Sequence, residues 1–109
     1  MAELKQAMVP GARLTGIWLS LCSPAAVEIA AGAGADWLLI DMEHAPNELS
    51  LIADQLRAAK GAGPRGTPAI IRPPSADRVM TKRLLDVGVQ AIMFPMIETA
   101  EAAAEAVSW

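Results

Sequence analysis

Short apolar runs alternate along the chain with stretches in which apolar residues recur every three or four positions, the signature of strands followed by amphipathic helices. The first run, residues 14–21, precedes Ser23-Pro24, an N-cap residue followed by the imino acid favoured at the first helical position, and Gly32 and Gly34 close that helix. The second, residues 37–40, is apolar on both faces, as a strand covered on both sides requires. A helix starting near Asn47 follows, in which Leu49, Ile52, Ala53 and Leu56 form one stripe ended by Gly61 and Gly63-Pro64. The third run, residues 68–72, stops at Pro73-Pro74, which cannot donate to a ladder, and its helix extends from Ser75 or Asp77 to Val87 with Gly88 as the stop. The fourth, residues 91–94, ends at Pro95, and a last helix opens at Thr99 with Glu98 and Glu101 near its positive end.

Four β-α units without a hairpin signal predict an α/β fold with parallel strands and right-handed crossovers. Both a small open sheet and half of an eight-stranded barrel satisfy that pattern. The units divide the chain at residues 14–35, 36–66, 67–88 and 89–109, behind a leader at 1–13. A length of 109 residues with 53% apolar and 19% charged composition supports one hydrophobic core and no more.

A net charge of −3 without any basic run excludes a footprint for a phosphate backbone, so nucleic acid is not an expected partner. One cysteine, Cys22, forbids an internal disulfide and fits a small apolar residue in a reducing cytoplasm. Lys5 and Arg13 before an apolar stretch ending in Ser23-Pro24-Ala25-Ala26 imitate a signal peptide. Thr15, Gly16 and Ser20 interrupt that stretch, so it reads as strand rather than signal. Glu28 and Asp36 break the longest apolar candidate, so no membrane span is expected.

In parallel α/β folds ligands sit beyond the carboxyl ends of the strands. Here those positions are polar: Asp41, Glu43 and His44 after the second run, Arg72 at the end of the third, Glu98 and Thr99 after the fourth. A single histidine is more often a hydrogen-bonded structural group than a catalyst, and an arginine beside two prolines can simply cap carbonyls. A cluster of Asp-x-Glu-His at a strand tip, however, has no core to fill, which favours proton transfer at His44 and an anion or enolate clamp at Arg72.

The strings Gly16-Ile17-Trp18, Ser23-Pro24, Gly32-Ala33-Gly34, the run from Asp36 through Asp41-Met42-Glu43-His44-Ala45-Pro46 to Asn47, Ile71-Arg72-Pro73, Leu84-Leu85-Asp86-Val87-Gly88 and Phe94-Pro95-Met96-Ile97 resemble the HpcH/HpaI aldolase family over residues 14–109. The resemblance implies the first half of a TIM-type (βα)8 barrel and a class II pyruvate aldolase, which uses a divalent metal (magnesium, manganese or cobalt) to cleave 4-hydroxy-2-oxo acids to pyruvate and an aldehyde. It implies His44 as the base acting through a water, Arg72 as stabiliser of the enolate, Asp86 as the acidic partner of His44, and Trp18, Asp41 and Glu43 around the substrate. Asp86 falls at the far end of the third helix, so that partnership is expected across a subunit contact. The family's metal ligands, a Glu and an Asp at later strand ends, would lie beyond Trp109. The chain alone is therefore expected to lack metal-dependent turnover, and its open strand edges to favour a homo-oligomer in the cytoplasm. Two alternatives remain: a non-catalytic βα-repeat module pairing through its edges, and a citrate-lyase-type acyl-thioester lyase.

Overall fold

The computed structural model describes residues 2–109. Its elements in chain order are α1 (Ala2–Ala7), β1 (Gly16–Leu19), α2 (Pro24–Gly32), β2 (Trp37–Asp41), α3 (Leu49–Gly61), β3 (Ala69–Arg72), α4 (Arg78–Asp86) and α5 (Ala100–Ser108). The strands form one parallel sheet in the order β1-β2-β3, with Ile17 opposite Leu38 and Asp41 opposite Arg72. This is the α/β architecture that the apolar pattern predicts.

The fourth apolar run departs from that pattern. It forms no ladder and joins β3 through a single parallel bridge between Ile71 and Ile92, made by the Ile71 N–H on the Ala91 carbonyl (3.0 Å) and the Met93 N–H on the Ile71 carbonyl (2.9 Å). Pro95, without an N–H, ends the pairing there. β1 is likewise shorter than its apolar run, because Cys22 turns into the left-handed region (φ 51°) and leaves Leu21 outside the sheet and exposed.

Helix boundaries follow local chemistry. Ser23 accepts from the Ala26 N–H, Asp77 from Met80 and Thr99 from Ala102, each satisfying a donor the first turn leaves unpaired. Gly34 and Gly88 take φ of +91° and +99° just past α2 and α4, a conformation that costs glycine nothing. α3 lacks a side-chain cap: Glu48 occupies the position and makes no such bond, while Asn47 is engaged elsewhere.

Alternation along the strands sorts the residues onto two faces. Leu19, Leu38, Ile40, Ala69 and Ile71 pack against Val27, Ala30 and Ala31 of α2, Ile52, Leu56 and Ala59 of α3, and Leu84 of α4. The opposite, inner face carries Gly16 and Trp18, then Trp37, Leu39 and Asp41, then Ile70 and Arg72. Gly16 pairs with Trp37, and a side chain at Gly16 would collide with the indole, so glycine lets the ring lie flat across the neighbouring strand.

Residues 1–13 form the leader read from the sequence, and its described part packs on the sheet. Met1 lies outside the described residues, but α1 buries Leu4, and Met8, Val9, Pro10, Ala12 and Leu14 line an apolar cavity of about 640 Å³ with Trp37, Ile70 and Met93. The segment thus covers the amino-terminal end of the inner face. Among the described residues no helix is long and apolar enough to cross a membrane.

Candidate active site

The carboxyl end of the inner face holds a connected polar cluster. Register brings Asp41 and Arg72 side by side as the last pair of β2 and β3. Arg72 grips the Asp41 carboxylate with two parallel hydrogen bonds, Nε to Oδ1 at 3.0 Å and Nη2 to Oδ2 at 2.6 Å, the fork geometry that makes arginine–carboxylate pairs strong. Trp18 Nε1 donates to Oδ2 at 3.2 Å, and the backbone N–H groups of Glu43 and His44 donate to Oδ1 at 2.9 and 3.3 Å. Five donors on one buried carboxylate leave it no capacity for a ligand. Asp41, expected from sequence near a substrate, is the hub that orders its neighbours.

Arg72 is shared further. Its Nη1 lies 3.1 Å from Glu43 Oε2, and its guanidinium carbon sits 4.7 Å from the centroid of the Trp18 ring, a cation–π contact. Of its five N–H groups two are hydrogen-bonded to Asp41, and Nη1 faces Glu43 as an ion pair. Trp18 therefore touches Arg72 with its face and Asp41 with its N–H, while the ring stays 48% exposed at the mouth.

His44 lies beside this cluster, its Nε2 3.8 Å from Glu43 Oε2 and its side chain 73% exposed. The backbone that carries it is fixed by Asp41; the imidazole itself faces solvent. Asp86 closes α4, which runs back from the tip of β3, so it sits at the opposite end of the sheet and makes no ion pair with His44 among the described residues. Thr99, which also appears in the strand-tip polar set, is spent on capping α5, and Glu98 is exposed beside it.

Electrostatics follow the contacts. The Arg72 hydrogen bonds hold the Asp41 carboxyl far below the usual carboxylate range; burial opposes this, and the Glu43 N–H, Trp18 and the His44 N–H reinforce it. The Asp41 bond correspondingly raises Arg72. One guanidinium thus faces two carboxyl groups, those of Asp41 and Glu43. Among the described residues no group of three or more His, Cys, Asp or Glu side chains is placed to hold a metal ion.

Two site residues were not singled out from sequence as functional. Asn47 Nδ2 donates to the Asp41 carbonyl at 2.5 Å, and Gln55 Nε2 donates to Asn47 Oδ1 at 2.7 Å. The available signal was Gln55 itself, an amide lying between Ile52, Leu56 and Ala59 on the buried side of α3.

Comparison with known proteins shows the family and the fold. The family model described as HpcH/HpaI aldolase/citrate lyase matches residues 14–109, and the chain belongs to that family. It is 51% identical over 94 residues to a hydroxypyruvate/pyruvate aldolase of Paraburkholderia phytofirmans, covering 86% of this chain and 36% of that protein. It is 46% identical over 103 residues to a 4-hydroxy-2-oxo-heptane-1,7-dioate aldolase of Klebsiella pneumoniae, covering 94% and 38% respectively. A crystal structure of an HpcH/HpaI aldolase/citrate lyase family protein from Burkholderia cenocepacia superposes with a TM-score of 0.90 at 45% identity, over 98% of this chain and 42% of that one. The fold is thus the amino-terminal part of a TIM-type barrel, and the chain spans well under half the length of the relatives it matches.

Proposed function

We propose that this chain supplies the amino-terminal strand tips of a class II pyruvate aldolase that cleaves 4-hydroxy-2-oxo acids to pyruvate and an aldehyde. The observation that carries this reading is Arg72, fixed rigidly by two hydrogen bonds to Asp41 yet keeping further N–H groups unspent at the strand tips. In retro-aldol cleavage His44 takes the proton of the 4-hydroxyl, through a water; the C3–C4 bond breaks, the aldehyde leaves, and the electron pair moves into the enolate of pyruvate. Arg72 stabilises the enolate oxygen with its remaining donors, and protonation at C3 completes pyruvate. Trp18 and Glu43 hold the guanidinium in place beneath the substrate, and Asp86 serves His44 of a neighbouring subunit in a homo-oligomer. An Asp86→Asn variant with unchanged pH–rate behaviour would remove that last assignment.

The divalent metal of this chemistry does not fit the residues present. Asp41 is saturated, Glu43 is tied to Arg72, and among the described residues no third ligand stands near. Its ligands would come from outside this chain, so the isolated chain is expected to release no pyruvate from 4-hydroxy-2-oxoheptanedioate with magnesium or manganese. Joining residues 1–109 to the carboxyl-terminal remainder of a related aldolase should restore release, measured by coupling to NADH oxidation, and His44→Ala or Arg72→Lys should abolish most of it. A folded chimera without turnover would sink the aldolase reading; turnover by the chain alone would sink the statement about the metal.

A further inference from the structure

We propose that Gln55 and Asn47 are positioning residues which set the place of Glu43 and His44 through the carbonyl of Asp41; only the reaction they serve rests on the aldolase reading. Gln55 is fully buried on the apolar side of α3, where an amide is tolerated only if its hydrogen bonds are met. Its Nε2 donates to the Leu51 carbonyl at 3.2 Å and to Asn47 Oδ1 at 2.7 Å. Both are acceptors, so the relay has a direction. With Oδ1 held by Gln55, the Asn47 amide must present Nδ2 to the Asp41 carbonyl.

The consequence reaches the site. Asp41 is gripped twice, by Asn47 at its carbonyl and by Arg72 at its carboxylate, and that carboxylate in turn holds the N–H groups of Glu43 and His44. The Asn47 N–H on the Ala45 carbonyl (2.8 Å) folds the end of the segment back toward α3. The exposed imidazole thus stands on a short loop whose backbone is fixed from inside the helical layer. A mere core-filling role for Gln55 would need only its shape; this role needs its donor.

Gln55→Met keeps the shape and removes the donor. Losing one buried neutral hydrogen bond should lower the hydrogen-exchange protection of the Glu43 and His44 amides about tenfold, while that of the Ile52 and Leu56 amides in α3 stays within about threefold of the parent. Gln55→Glu is the rescue. A carboxyl in this site faces the Asn47 amide and the Leu51 carbonyl, with the Asp41 carboxylate beyond Asn47 and Asp54 and Arg57 paired to each other on the solvent side. Protonated, it donates to Asn47 Oδ1 again; ionised, it cannot. Protection factors at Glu43 and His44 in Gln55→Glu should match the parent in acid and fall to the Gln55→Met level as pH rises. Should Gln55→Met fail to fold, the reversible change within Gln55→Glu carries the test alone. Uniform loss of protection across α3 and the loop, or no pH-dependent change at Glu43 and His44, would overturn the proposal. In the catalytic chimera the same substitutions should lower kcat with KM little changed. An inactive chimera would count against the aldolase reading and leave the exchange result standing.

Discussion

Replacing Asp41 by Asn exchanges one oxygen for an NH2 group and should cost much of the domain's stability. The amide retains an acceptor for Arg72 Nε and the Glu43 and His44 N–H groups, but its NH2 then confronts Arg72 Nη2 and Trp18 Nε1, donor against donor. It also strips the guanidinium of its closest counter-charge. Breaking one side of a buried ion pair costs about 3–5 kcal/mol. Small domains have about 5–15 kcal/mol in total, so the variant should melt at least about 12 °C lower, at the ~4–8 °C per kcal/mol expected for this size. Urea titration followed by tryptophan fluorescence and far-ultraviolet circular dichroism measures the difference. Acid gives an independent check. Because the folded-state pKa of Asp41 is depressed, its contribution is fully present above the unfolded value near ~3.9 and is lost progressively as pH falls below it toward the folded value. The gap between parent and variant should therefore be widest near neutrality and narrow below about pH 4. A variant within about 0.5 kcal/mol of the parent at pH 7, or a gap that widens in acid, would refute the reasoning.

Other substitutions probe the scaffold. Gly16→Ala should destabilise by about 1–3 kcal/mol by driving a methyl into the Trp37 ring, and the shift should largely disappear in a Trp37→Leu background, read from the same unfolding curves. Ile71→Ala removes a side chain with no exposed surface and should cost about 2–5 kcal/mol, whereas the adjacent Ile70→Ala, on the half-covered inner face, should cost clearly less in a parallel thermal melt. Asp77→Ala deletes the bond to the Met80 N–H and should lower stability by about 0.5–2 kcal/mol; a larger loss would mean that Asp77 does more than cap α4.

What the sequence made legible was local. Ser23-Pro24, Asp77 and Thr99 announce helix starts because a cap and the N–H it accepts lie three residues apart, and the Leu49–Ile52–Leu56 stripe announces a face because the α-helix repeats. The polar strand tips could be located by the same reasoning. Their division of labour could not. Asp41 becomes a saturated hub through partners 23 and 31 residues away, and Asn47 is diverted from capping to clamping by an amide nearly two turns into α3. The fourth strand failed for a related reason: an apolar run supplies a propensity, but a ladder also needs successive backbone pairs, and this run makes a single bridge, to Ile71.

The pairing of Asp41 with Arg72 also acts on the folding of the sheet. In a parallel ladder every backbone bond can be remade after a slip of one residue, so hydrogen bonding alone does not choose among registers. A slip of β3 by one position would set Ile71 beside a buried carboxylate and turn the guanidinium toward the helices, stranding two charges at once. The ion pair is thus a key that fits a single alignment of β2 with β3. Selection for the chemistry of this site and selection for a correctly registered sheet then fall on the same two residues. Directed evolution that seeks new reactivity at Arg72 will have to supply a different register lock before it can spend the old one.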